Sequence, residues 1–270
     1  GSISYNVARS FGPALGGLIV TVAGASVAFG MNALLYIPLL LAFFFWKRQQ
    51  FPARLPPENM GRAIISGARF SLHSRTNRTA MFRAFLFGWA GATAGAFAPL
   101  IAKDLLNGDA ALFGILLGAS GVGAVGGAML VAKLRAALGA EIAIRWMMVI
   151  GGVALMAVGV SNNVILTCIG LFVAGAANIV VIAMFNVAVQ ISSPRWVTAR
   201  ALSLFSSALT GGIALGAWFW GVMAHDFGLQ ESIVASGIAL LLLPLIGLFL
   251  PLAEAEADSL APVEIDRPRA

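Results

Sequence analysis

The sequence predicts an all-α, polytopic membrane protein, a bundle of apolar helices, on three observations. Of the 270 residues, 60% are hydrophobic and only 10% charged, whereas an ordinary soluble domain has about 25% charged residues. Mean hydropathy is +0.93. The apolar residues gather in eight stretches of membrane-crossing length, for which about 20 residues suffice. A chain this poor in polar residues cannot surface a soluble core of its size. Soluble enzyme, secreted disulfide scaffold, disordered tail and nucleic-acid binder are excluded on that ground.

The eight stretches are 3–23, 27–46, 79–101, 112–132, 142–160, 164–188, 201–224 and 233–250. Several of the links between them are very short, as antiparallel neighbours require. The last two are rich in Gly and Ala, like packed membrane helices. The links after the second, fourth and sixth stretches carry twelve basic residues: Lys47, Arg48, Arg54, Arg62, Arg69, Arg75, Arg78, Lys133, Arg135, Arg145, Arg195 and Arg200. The opposite links hold only Lys103, beside Asp104, Asp109, Asp226 and Glu231. The positive-inside rule places the twelve in the cytoplasm, with both chain ends. The net charge of +6 therefore encodes topology, and no nucleic-acid partner is expected. The partners expected are the lipid bilayer and a small-molecule substrate.

Two polar segments divide the chain. Residues 47–78 hold Pro52, Pro56 and Pro57, then a basic amphipathic segment with Ile64, Ile65, Ala68 and Phe70, which suits a helix lying on the membrane surface. Residues 251–270 are acidic and proline-containing, a solvated tail. The first residue is Gly1, and no basic region precedes the first apolar run. That excludes a signal peptide, and the chain is expected to begin inside a longer protein. Its single cysteine, Cys168, allows no internal disulfide and no cysteine-based zinc site.

The chain repeats itself. Gly12, Ala14, Leu15 and Gly16 in the first stretch match Gly212, Ala214, Leu215 and Gly216 in the seventh. Pro38-Leu-Leu-Leu-Ala-Phe in the second aligns with Pro244-Leu-Ile-Gly-Leu-Phe in the eighth. Mapping the first helix onto the seventh makes the repeat unit six helices, and two units make twelve. Parallel six-helix repeats are the architecture of major facilitator transporters. On this reading eight of the twelve transmembrane helices, the fifth to the twelfth, are present. Residues 1–46 are the last two helices of the N-terminal half, 47–78 the cytoplasmic inter-half loop, 79–250 the C-terminal half and 251–270 the tail.

Two motifs carry a closer resemblance. Asn6-Val-Ala-Arg-Ser-Phe-Gly-Pro-Ala-Leu-Gly-Gly resembles the fifth-helix antiporter motif of major facilitator exporters, with Arg9, Gly12, Pro13, Gly16 and Gly17 at its characteristic positions. Ser193-Pro-Arg-Trp-Val-Thr-Ala-Arg resembles the loop ten–eleven signature of the transmembrane secretion effector branch, related to enterobactin-type siderophore exporters, through Pro194, Arg195, Trp196 and Arg200. The resemblance implies twelve helices, alternating access, export of a small molecule, protons as coupling ion, a bacterial cytoplasmic-membrane location and a monomer when full length. The family's most diagnostic signature, between helices two and three, falls outside the chain. Its second-half counterpart, Ala132-Lys-Leu-Arg-Ala-Ala-Leu-Gly, keeps the basic residues but lacks the usual acid.

In physical terms, Gly12, Gly16 and Gly17 leave a helix face bare and allow close approach, while Pro13 favours a bend. That serves either a rocking seam or plain packing. The pairs Gly114/Gly118, Gly123/Gly127 and Gly212/Gly216 have the same spacing and read as packing. The span centres carry no ionisable residue, and Arg9 and Arg83, near the cytoplasmic ends, are expected to reach the headgroups. The resemblance implies a cavity lined by helices one, four, seven and ten, of which seven and ten are present here. Phe85, Trp89 and Thr93 on the third stretch, and Asn178 and Asn186 on the sixth, are the candidates to meet substrate there, or else to pack and hydrogen-bond between helices. An aromatic wall of Phe82, Phe85, Trp89 and Phe97 would suit an amphipathic organic molecule. No cofactor and no metal are implied.

No enzyme is expected, because no span clusters His, Asp, Glu or Cys as a membrane-depth active site needs. A phosphate-binding loop and a His-Glu-x-x-His pair are likewise missing. The expectation is a secondary transporter exporting a small amphipathic molecule. The alternatives are a permease subunit driven by a separate ATPase, or a membrane-embedded protein without transport activity of its own.

Overall fold

The computed structural model describes residues 19, 23, 25–45, 69–71, 73–194 and 197–252. Every regular element among them is helical. They are α1 (Ala25–Phe45), α2 (Arg75–Ala90), the short turns α3 (Thr93–Ala96) and α4 (Ala98–Leu100), a π-helical turn Ile101–Leu105, α5 (Ala110–Val160), α6 (Val164–Ser192), α7 (Thr198–Phe227) and α8 (Leu229–Phe249). Six helical segments, α2 to the π-turn counting as one, are long and apolar enough to cross a membrane. The protein is an all-α polytopic bundle, as its composition requires.

The 51 residues of α5 would run about 76 Å if straight, more than twice the bilayer core. They do not run straight. Gly139 takes φ 76 and ψ 165, a conformation open to glycine and strained for other residues. Packing confirms the fold-back. A Cβ on Gly123 would overlap Phe172 of α6, while Gly170 of α6 faces Ala154 and Val158. Gly123 and Val158 would lie about 52 Å apart on a straight helix, yet both meet the same turn of α6. Residues 110–138 and 140–160 are therefore separate crossings, corresponding to the fourth and fifth stretches. Where the sequence suggested a link at 133–141, the structure keeps helix and concentrates the reversal at one glycine.

The remaining helices close around these through glycine contacts. Gly212 and Gly216 of α7 press on the backbone at Phe85 and Trp89 of α2. Gly123 and Gly127 press on Phe172 and Ala176, and Gly152 and Gly237 bring 140–160 against α8. With no hydrophobic force between helices in lipid, such close approach is what holds a bundle together. The packing reading of the Gly123/Gly127 and Gly212/Gly216 pairs is what the structure shows.

The buried core follows from the same geometry. Phe185, Phe205, Met148, Met184 and Leu155 fill its largest fully enclosed positions. By contrast α1 keeps its large side chains outside, with Phe29, Leu35 and Phe44 72–84% exposed. Helices α1 and α8 have the same length, 21 residues, and each carries an interior proline, Pro38 and Pro244. The repeated sequence thus builds a repeated element. Most of residues 1–24 and all of 46–68 and 253–270 lie outside the described residues, and so do the readings made for the fifth-helix motif, most of the inter-half loop and most of the tail. The loop's end at 69–71 and 73 is helical, and α2 begins at Arg75, inside the bounds read for the loop.

Candidate functional site

A cavity of about 460 Å³ lies midway along the bundle. Five helical segments line it: α2 and the turn after it, 110–138, 140–160 through Met147, Gly151 and Leu155, α6 and α7, with Leu240 added by α8. Among its lining residues, Gly95, Ala96 and Ile213 are exposed. Its wall is apolar, with Phe87, Leu117, Leu155 and Leu209. Among its lining residues only Ser120 and Asn178 bear polar side chains.

The wall has one irregular stretch, and the residues of α2 explain it. The helix ends at Ala90, and Gly91 turns with φ −86 and ψ 5. Ala94 N–H bonds the Gly91 carbonyl at 3.4 Å, one residue short of the α-helical register. The sequence reading of 79–101 as one unbroken helix missed this break. In lipid each backbone group still needs a partner. Trp220 Nε1 donates to the Trp89 carbonyl at 2.8 Å, and Ser236 Oγ donates to the Ala90 carbonyl at 2.6 Å. The freed end of α2 is thus capped by side chains of α7 and α8.

The candidate residues separate by what they touch. Asn178 lines the cavity, and its side chain makes no hydrogen bond among the described residues. Thr93 is fully buried, its hydroxyl 2.6 Å from Ser236 Oγ. Trp89 packs its ring on Phe219 and Trp220, with centroids 5.2 and 5.0 Å away. Asn186 accepts from Gln190 Nε2, one turn on. Phe85 lies under Gly212, half-buried. Of the four aromatic residues expected in one wall, Phe82 is 48% exposed and Phe97 is buried, and the aromatic side chain on the cavity is Phe87. An i to i+4 spacing puts residues on one face, but it does not say which neighbour that face meets.

The motif between α6 and α7 is partly visible. Pro194 is exposed, and its carbonyl accepts Val197 N–H, Thr198 N–H and the Thr198 hydroxyl. The buried Asn77 side chain donates to Ser193 Oγ at 3.0 Å and accepts from Ser192 Oγ at 2.6 Å, tying this corner to the start of α2. Arg200 is half-buried at the first turn of α7. Arg195 and Trp196 lie outside the described residues, as do Arg9, Gly12, Pro13, Gly16 and Gly17.

A family model described as transmembrane secretion effector matches residues 1–269. The chain belongs to that family. It is a multi-pass membrane protein of the major facilitator superfamily, and its role is transmembrane secretion or transport. A comparison with curated proteins gave no match.

This secretion-effector bundle also contains an ionic site that the sequence did not disclose. Arg83 does not reach the headgroups. It is 3% exposed, and its Nη1 lies 2.7 Å from Glu141 Oε2. Arg145 Nε holds the other carboxylate oxygen at 2.8 Å. The end of α8 and the residues just after it complete the set: the Leu250 carbonyl accepts from Arg83, the Gly247 carbonyl accepts from Arg145, and Leu252 N–H donates to Glu141. Helix C-terminal carbonyls favour cations, which suits two arginines sharing one carboxylate. Glu141 stands two residues beyond Gly139, at the start of the next crossing.

Proposed function

We propose that this protein is a secondary transporter that exports a small amphipathic organic molecule by alternating access, coupled to protons. The observation that supports it best is the mid-bundle cavity, apolar but for one amide and one hydroxyl. Binding sites of small molecules have that composition. The cavity lies against α2 and α6, which take the places of helices seven and ten in the twelve-helix scheme. Its exposed lining residues are where the N-terminal half would meet it. Closing and opening that seam would expose the cavity to each side of the membrane in turn. The glycine-mediated contacts within the C-terminal half let it move as a body.

The charge pattern supports a bacterial cytoplasmic membrane as the location, with the end bearing Lys133, Arg135 and Arg145 facing the cytoplasm and both chain ends on that side. The protein acts as a monomer.

The test is uptake of a set of fluorescent amphipathic compounds by everted membrane vesicles, in which export runs inward. Energised vesicles carrying the protein should accumulate at least one such compound, and a protonophore should abolish the accumulation. Accumulation that survives the protonophore would refute proton coupling. A screen in which only small hydrophilic sugars moved would refute the substrate class.

A further inference from the structure

We infer that Asn178 is the specificity-determining residue of the cavity and that it selects an uncharged group able to donate and accept hydrogen bonds side by side, such as a carboxamide or lactam. This rests on the transport reading for its physiological meaning, but the binding it asserts can be measured without transport.

The argument starts from what the cavity wall lacks and what it leaves unpaired. Its lining holds no ionisable side chain among the described residues. A charged group placed against that wall would lose its hydration without a counter-charge, at a cost that outweighs the burial of its apolar part. The substrate moiety seated here is therefore neutral. An apolar moiety alone would leave the Asn178 amide facing it unpaired. A buried amide without partners is itself costly, so the wall favours a guest that supplies them.

Geometry decides that Asn178 is the group concerned. The other polar candidates are engaged: Thr93 with Ser236, Asn186 with Gln190, and the Trp89 carbonyl with Trp220. Asn178 sits one turn after Gly175, on the same side of α6. A Cβ at Gly175 would overlap the Ser120 carbonyl and come within 3.0 Å of Ser120 Oγ. This close contact brings the backbone of 110–138 up to α6, and Ser120 and Asn178 line the same cavity. A carboxamide presents one donor and one acceptor in a plane. Its complement is another planar amide.

Three matched fluorescent probes test this: naphthalene-2-carboxamide, naphthalene-2-carboxylate and 2-(aminomethyl)naphthalene. They share one apolar ring and differ in charge. Binding to the intact purified protein is measured by equilibrium dialysis, and uptake of the same probes by everted vesicles is measured in parallel. The carboxamide should bind more tightly than either charged probe. Asn178→Leu, of similar volume, should weaken carboxamide binding about tenfold, the value of two neutral hydrogen bonds. It should leave the charged probes unaffected. Asn178→Gln should restore part of the loss, and an unchanged elution profile shows that each variant is folded. Equal binding of the three probes, no binding of any, or no effect of Asn178→Leu would overturn the assignment, even if transport were observed. Carboxamide binding that depends on Asn178, with no uptake into vesicles, would uphold the assignment and refute the transport reading instead.

Discussion

Arg83 and Glu141, 58 residues apart, form a 2.7 Å ion pair with the guanidinium 2% exposed. The pair joins α2 to the start of the 140–160 crossing, and through Leu250 and Leu252 it also holds the end of α8. The Arg83 guanidinium lies 5.5 Å from the Phe185 ring, close enough for a cation–π contact. Removing one partner of a buried pair leaves an uncompensated charge, which costs about 3–5 kcal/mol. Glu141→Ala leaves two arginines without a carboxylate and should lose that much. Arg145→Ala should lose about 1 kcal/mol, because Arg145 is 28% exposed and Glu141 keeps Arg83. Unfolding free energies in detergent would check the order. Equal losses for the two variants would mean that the carboxylate is not the hub.

Glycine contacts make a second prediction. Gly123→Ala, Gly212→Ala and Gly216→Ala each place a methyl group into a neighbouring backbone carbonyl. Backbone cannot yield as a flexible side chain can, so each should cost about 1–3 kcal/mol. Gly126→Ala and Gly221→Ala, with nothing within 4 Å of the added carbon, should be neutral or stabilising by up to about 1 kcal/mol through helix propensity. Thermal unfolding of the five variants separates the two groups.

Much of the fold was readable in the sequence, and the part that was not has a physical reason. The membrane crossings were legible because twenty-odd apolar residues in a row leave a chain few alternatives. The helix contacts at Gly123, Gly127, Gly212 and Gly216 were legible because bare faces recur every four residues. The Arg83–Glu141 pair was not. Glu141 stands just before an apolar run, and nothing local links it to an arginine in another helix. The break at Gly91 was equally hidden, because a glycine within an apolar stretch is compatible with continuous helix. Hydropathy located Asn178 on a membrane helix. That its amide faces open space, while Thr93 and Asn186 turn to partners, depends on contacts up to 143 residues distant.

Gly139 supports a third prediction. Its φ of 76 and ψ of 165 lie where a side chain is strained, and the fold-back of α5 turns on it. Gly139→Ala should cost about 1–3 kcal/mol. Gly95→Ala, at an exposed position with nothing within 4 Å, should cost less than about 1 kcal/mol. Circular dichroism melts of the two variants provide the comparison. Equal melting temperatures would show that the reversal does not need glycine.

The break in α2 should be held mainly by its side-chain caps. Trp220→Phe removes one N–H while keeping a ring against Trp89 and Phe219, whose centroids lie 5.0 and 4.9 Å from that of Trp220. The Trp89 carbonyl then loses its donor at 2.8 Å. Ser236→Ala removes the donor to the Ala90 carbonyl and the partner of Thr93 together. Each carbonyl left unpaired costs about 1–3 kcal/mol. Interhelical hydrogen bonds in membranes average nearer 0.6 kcal/mol, which bounds Thr93→Val, since Ser236 can still donate to Ala90. The expected order of destabilisation is therefore Ser236→Ala above Thr93→Val, with Trp220→Phe comparable to Ser236→Ala. Unfolding free energies of the three variants test it. If Thr93→Val proved the most damaging, the contact that matters would be the hydroxyl pair, and the carbonyls at the break would need no cap.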